Sequence, residues 1–129
     1  MASRIKVISS MATRQVLADL VELFQRRSAQ AVAVESVGGV DAARRVRAGE
    51  AFDVVVLAAD TIEQLIASGQ IVPGSRVDLV RSGVSIAVRA GAARPDVGTE
   101  DGLESAVLAA SSLGYSTGPS GVELARLFE

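Results

Sequence analysis

The stretch over residues 4–24, RIKVISSMATRQVLADLVELF, constrains the fold more than any other part of the chain. Ile5, Val7 and Ile8 make an apolar run of strand length, and Val16, Leu17, Leu20, Val21 and Phe24 follow it at helical spacing. The two periods are separated only by the small turn Ser9, Ser10, Met11, Ala12 and Thr13. A strand that passes so directly into a helix leaves backbone N–H groups unpaired at the positive end of the helix dipole, which makes a ready anion site. The same junction recurs over residues 34–46 and 113–127. The chain reads as built to bring such junctions together.

Composition narrows the chemistry that these junctions can serve. The 129 residues contain no cysteine and no histidine, which excludes a Cys nucleophile, a Ser-His-Asp triad, a Cys/His zinc site and a disulfide framework. Metal binding would rest on carboxylates alone; no metal and no cofactor is expected. A net charge of −2 makes no electrostatic case for nucleic acid or an anionic membrane surface, and 3% aromatic residues leaves little for base or sugar stacking. No apolar run approaches the roughly 18 residues that would span a bilayer. The first apolar run breaks at Ser9, so no signal peptide is read there, and a processed start and a cytoplasmic protein both fit.

Further along, residues 25–28 read as a polar exit from the first helix and residues 31–37 as a second strand ending in Gly38-Gly39. Val40, Ala43 and Val46 share one face of a short helix that Gly49 stops. Arg44, Arg45 and Arg47 on that helix read either as a phosphate patch or as a solvated face. The near-continuous apolar run FDVVVLA at residues 52–58 predicts a central strand of a parallel sheet. Asp60 and Thr61 then open a helix with Gln64 completing a capping box and Gly69 ending it, before a loop over residues 71–80.

Alternation over residues 83–90 predicts a strand, residues 91–98 a linker, and Thr99 the cap of a helix packed through Leu103, Val107 and Leu108. Residues 111–116 predict a short strand, followed by a helix with Pro119 in its first turn. The amphipathic pattern of Leu124, Leu127 and Phe128 still runs at Glu129, which predicts a fragment that dimerises or exchanges its last helix between copies. Alternating strands and helices define an α/β class with a mostly parallel sheet flanked by helices. Ligands of such sheets sit beyond the carboxyl ends of the strands, where all three junctions fall.

Each candidate residue has two readings. Ser9, Ser10 and Thr13 either donate hydroxyls to an anion or cap the first helix. Gly38-Gly39 resembles a phosphate loop, yet neither GxGxxG nor GxxxxGK[ST] is present. In Gly118-Pro119-Ser120-Gly121, Ser120 and the N–H of Gly121 suit anion donation better than nucleophilic attack, because the spacing is not GxSxG. Tyr115 either lends its phenol to that site or is a buried strand residue. Asp60 is either a general base or a helix cap, and Glu35 is the second carboxylate placed to face a cleft.

The segments IKVISSMATRQVLADL, AARRVRAGEAFDVVVLAAD, SGQIVPGSR, SGVSIAVRAG and YSTGPSGVELARLF together resemble type 2 periplasmic solute-binding proteins, in particular the molybdate-binding branch of ABC transporter receptors. The resemblance implies two α/β lobes around a cleft, with residues 1–82 forming a first lobe that lacks its C-terminal return and residues 83–129 the start of a second. It also implies a periplasmic location, a membrane permease as partner, and an anion held by hydroxyls and backbone N–H groups at helix N-termini. Ser9, Ser10, Gly38, Gly39, Ser120 and Gly121 are the ligand-binding positions it suggests.

The chain departs from the molybdate pattern at Ala12 and at Val37-Gly38-Gly39-Val40, where serines are usual, and at Ser120, where a small apolar residue is usual. These departures favour a carboxylate over an oxyanion such as molybdate. The expected function is capture of a small anion for transport, without covalent chemistry. The alternative is an isomerase of the same fold acting on an unsaturated organic acid such as aconitate, with Asp60, Glu35 or Tyr115 as acid or base.

Overall fold

The computed structural model describes residues 3–129. The chain divides into two compact units, Met1–Leu79 and Val80–Glu129. In the first, the element order is β1 (Ile5–Ser10), a 3-10 turn (Met11–Thr13), α1 (Arg14–Arg27), β2 (Val32–Val37), α2 (Gly39–Arg47), β3 (Val54–Val56) and α3 (Ala59–Ala67). The strands form one parallel sheet in the order β2-β1-β3. The α/β class and the parallel sheet flanked by helices are therefore as expected.

β1 carries the core because it pairs on both sides. Its Ile8 is fully buried and packs with Ala42 and Val46 of α2 and Leu65 of α3, against a rim of Val37, Phe52, Val55, Leu57 and Ile71. Burial of a side chain the size of Ile8 or Leu65 contributes about 1.5–3 kcal/mol. Strand alternation turns Val7 and Ser9 to the opposite face, the side of α1, where Leu17 is buried. Gly49 and Gly69 follow α2 and α3 at φ of 84° and 83°, the left-handed geometry that ends a helix without a Cβ clash.

Several expectations within this unit are corrected. The run at residues 52–58 forms a strand only over Val54–Val56, and in this sheet β3 flanks β1 instead of occupying the centre. A continuous apolar run reports coverage of both faces and is silent about place in the sheet order. At its start the Asp53 carboxylate accepts the Lys6 N–H at 2.8 Å, taking the place of a ladder carbonyl. The polar exit at residues 25–28 is instead the last turn of α1 as far as Arg27, held by the Arg26–Glu22 pair. Leu20 and Phe24 of α1 and Val40 of α2, expected on packed faces, are exposed, and Ala42 takes the place of Val40 in the core. No capping box forms at Thr61, because α3 starts at Ala59 with Ala58 as its cap residue, and the Gln64 side chain accepts from Arg47 instead.

The second unit holds α4 (Glu100–Ala109) and α5 (Pro119–Leu127). Thr99 caps α4 through the N–H of Gly102 and Pro119 opens α5, both as the sequence predicts. Residues 83–90 and 111–116, expected as strands, are irregular, and Val84, Ile86, Leu113 and Tyr115 are each more than half exposed. A strand exists through its ladder, and among the described residues no strand pairs with either segment. Leu108 of α4 is likewise exposed rather than packed.

Leu65→Ala is expected to cost about 2–5 kcal/mol of stability through the cavity it leaves. Val40→Ala is expected to stay within about 0.5 kcal/mol. Equal shifts of the two urea midpoints would contradict this placement of the core.

Candidate functional site

The register of the sheet brings the expected residues of the first unit to one edge. Ser10 stands opposite Val37, and Ser9 opposite both Ser36 and Val56, so the carboxyl ends of all three strands are level. α2 begins beside this edge, where a methyl group placed on Gly39 would lie 3.7 Å from the Cβ of Ser10. Ser9, Ser10, Gly38 and Gly39 are thus neighbours.

The two serines differ in what their hydroxyls are free to do. Ser9 is fully buried, with its Oγ 2.7 Å from the Oγ of Ser36 and donating to the Ser10 carbonyl at 3.1 Å. Ser10 is half-buried; its carbonyl accepts from Ser9 and Thr13, while its hydroxyl has no protein partner among the described residues. Strand alternation explains the contrast, since one side chain faces α1 and the next faces α2. The capping alternative fails for this turn, because neither Ser10 nor Thr13 makes a side-chain cap bond.

The helices that follow the strands share one property. The 3-10 turn, α1, α2 and α3 all start without a side-chain cap, whereas α4 has one in Thr99. In α2 the first intrahelical bond runs from Ala42 N–H to the Gly38 carbonyl, leaving the N–H groups of Gly39, Val40 and Asp41 without a helical acceptor. α3 repeats the arrangement from Ile62 to Ala58. Side-chain caps normally stabilise such ends by about 1 kcal/mol. Their absence at successive strand ends leaves the amides open to an outside acceptor.

The expected carboxylates behave differently. Glu35 is the fourth residue of β2, and both of its oxygens accept from Arg45 of α2, at 2.6 and 3.1 Å. Arg45 also donates to Glu50 at 2.6 Å and lies 5.4 Å from the ring centre of Phe52, so it is an ion-pair hub and neither a phosphate contact nor a solvated face residue. The hydrogen bonds from Arg45 hold the Glu35 and Glu50 carboxyls below their ordinary value of 4.5. A carboxylate so stabilised is a weak general base. Asp60 lies exposed in the first turn of α3 and does not cap it.

Two residues of this edge were not legible from sequence. Arg14, the first residue of α1, has no ion-pair partner among the described residues and lines a shallow depression of about 410 Å³ with Met11, Ala18, Val34, Glu35 and Ser36. Arginine at the start of a helix opposes the dipole, and that is the signal that singles it out. Ser36 is found only through its register with Ser9.

In the second unit, Ser120 is the second residue of α5, with its Oγ 2.8 Å from that of Ser116. Gly121 is buried against the same segment; a Cβ there would fall 1.5 Å from the Ser116 carbonyl oxygen, so only glycine fits. Tyr115 is 61% exposed and lies outside any strand, which corrects the expectation of a buried strand tyrosine.

The family model described as "Bacterial extracellular solute-binding protein" matches residues 5–129. The chain belongs to this family. A curated relative of this solute-binding chain, an aconitate isomerase of Pseudomonas sp, is 40% identical over 83 residues. The match covers 64% of this chain and 32% of the relative, so the chain spans about a third of that protein's length. No solved structure matches.

Ser9→Ala removes the hydrogen bonds that the fully buried Ser9 hydroxyl makes with Ser36 and the Ser10 carbonyl and is expected to lose about 0.5–1.5 kcal/mol of stability. Ser10→Ala removes no protein hydrogen bond and is expected to change stability by less than about 0.5 kcal/mol. Urea denaturation of the two variants checks this order, and its reversal would contradict the assignment of the two hydroxyls.

Proposed function

We propose that this solute-binding chain recognises a small organic carboxylate at the carboxyl ends of β1 and β2. The observation that carries the reading is the set of uncapped helix N-termini beside those strand ends, where Ser10 offers a free hydroxyl and Gly39, Val40 and Asp41 offer free N–H groups. A carboxylate at this place accepts hydrogen bonds that no side chain supplies and sits at the positive ends of the dipoles. At the start of α5 Ser120 is the corresponding donor proposed for the second unit, whereas the N–H of Gly121, expected from the sequence to join it, donates to the Gly118 carbonyl at 3.0 Å.

Ligand class follows from the count of free hydroxyls. With Ser9 turned into the sheet and Ala12 and Gly38-Gly39 in the turns, the edge presents few hydroxyls to wrap a tetrahedral oxyanion such as molybdate. Planar carboxylates need only paired donors, and the glycine turn leaves room for a larger acid. The relative named as an aconitate isomerase supports a polycarboxylate. In this reading Arg14, unpaired at the edge of the same turn, receives a second carboxylate of the ligand.

The protein to which this sequence belongs would capture the acid outside the cytoplasmic membrane and deliver it to a permease. Among the described residues no helix is long and apolar enough to cross a membrane. Binding without turnover is favoured because Glu35 is committed to Arg45.

A thermal-shift panel of citrate and the aconitates against molybdate, sulfate and phosphate tests the reading. A ligand at about 100 times its dissociation constant adds roughly 2.7 kcal/mol. Stabilisation by the carboxylates is the expected result, with Ser10→Ala weakening it; stabilisation by molybdate alone, or by nothing, would overturn it. Incubation of the same samples with an aconitate and analysis for isomerised product separates binding from catalysis.

A further inference from the structure

α2 is secured very differently at its two ends. At the start, Gly38 and Gly39 bring no side chains, the cap position makes no side-chain bond, and nothing lies within 4 Å of the Cβ position of Gly38. Val40 is exposed, and among the described residues Asp41 pairs only with Arg44 of the same helix. Toward the other end, Arg45 places four donor contacts on Glu35 and Glu50 and lies over Phe52. Between them the packing rests on the small side chains of Ala42 and Ala43 and on Val46.

We infer that Arg45 is a positioning residue for the proposed anion site: by tying α2 to Glu35 of β2 and to Glu50 ahead of β3, it sets where the N–H groups of Gly39, Val40 and Asp41 stand. A helix is stiff over this length, and six residues of rise put Gly39 about 9 Å from Arg45 along the axis. A shift or rotation allowed at Arg45 therefore reappears at the first turn. Glu35 lies on the strand whose carboxyl end α2 covers, two residues before Val37. The clamp thus references the helix to the strand that shares its site.

The choice of arginine at this position follows from the role. Glu35 is the exposed residue of β2, in register with the fully buried Ile8, and both of its oxygens are bound by one partner. Its partner must also serve Glu50 and lie over a ring. The flat five-donor guanidinium of arginine does all three, and a lysine ammonium does not.

The claim about position stands on geometry, whereas its effect on ligand rests on the carboxylate reading above. Nitrogen-15 relaxation of the full chain, comparing Gly39–Asp41 with the equivalent first turn Ala59–Thr61 of α3, tests the first; calorimetry with citrate tests the second. Arg45→Met is expected to lower order at Gly39, Val40 and Asp41 while leaving α3 unchanged, and to weaken citrate binding about fivefold, the low end of coupling between linked sites. Arg45→Lys should restore part of both effects. Glu35→Gln, which keeps the side-chain shape, should act in the same direction and serves if Arg45→Met does not fold.

Unchanged order at the α2 amides in both Arg45→Met and Glu35→Gln, or an equal loss across α3, would overturn the inference. Wild-type protein that fails to bind citrate, with order still lost selectively at α2 in the variants, would uphold the positioning role and defeat the carboxylate reading.

Discussion

Parallel pairing of β1 with a neighbour on each side is the constraint on which the rest of the first unit depends. The register sets Ile8 against α2 and α3 on one face and Val7 and Ser9 against α1 on the other. A slip of one residue would exchange those faces and bury Lys6 in place of Val7. The same register levels Ser10 with Val37 and Ser9 with Val56, so the helices that follow begin beside a common edge. Core and candidate site are consequences of one set of ladder bonds.

The individual elements around the site were legible in the sequence because they are local. The apolar run of Ile5, Val7 and Ile8, the helical spacing behind it, Gly49 and Gly69 as helix stops and Thr99 as a cap are each decided within a few residues, and the structure agrees. What was not legible depends on partners distant in the chain. The order of strands, the burial of Ser9 against Ser36 and the commitment of Arg45 to Glu35 involve residues separated by 27, 10 and more positions, and periodicity carries no trace of them. The segments at residues 83–90 and 111–116 make the same point, since alternation describes what a strand would need and says nothing of whether a neighbour is there to supply its ladder.

A helix end without a side-chain cap is a small local cost, and here it is repeated at the 3-10 turn, α1, α2 and α3. In the second unit α4 carries the ordinary threonine cap, whereas α5 also starts without one. In the first unit the uncapped starts of the 3-10 turn, α2 and α3 each follow the carboxyl end of a parallel strand. Local rules broken at one shared edge are expected where function competes with stability. The chain belongs to the extracellular solute-binding family, and the proposal is that this edge receives the solute.

The most direct test of the central claim is a map of backbone amide shifts as citrate is added to the isotopically labelled chain. Perturbations in the first unit are expected to concentrate at Ser10, Met11 and the amides of Gly39, Val40 and Asp41, at the carboxyl ends of the strands. Shifts concentrated instead at the amino ends, around Ile5, Val32 and Asp53, or spread evenly over the surface, would contradict it.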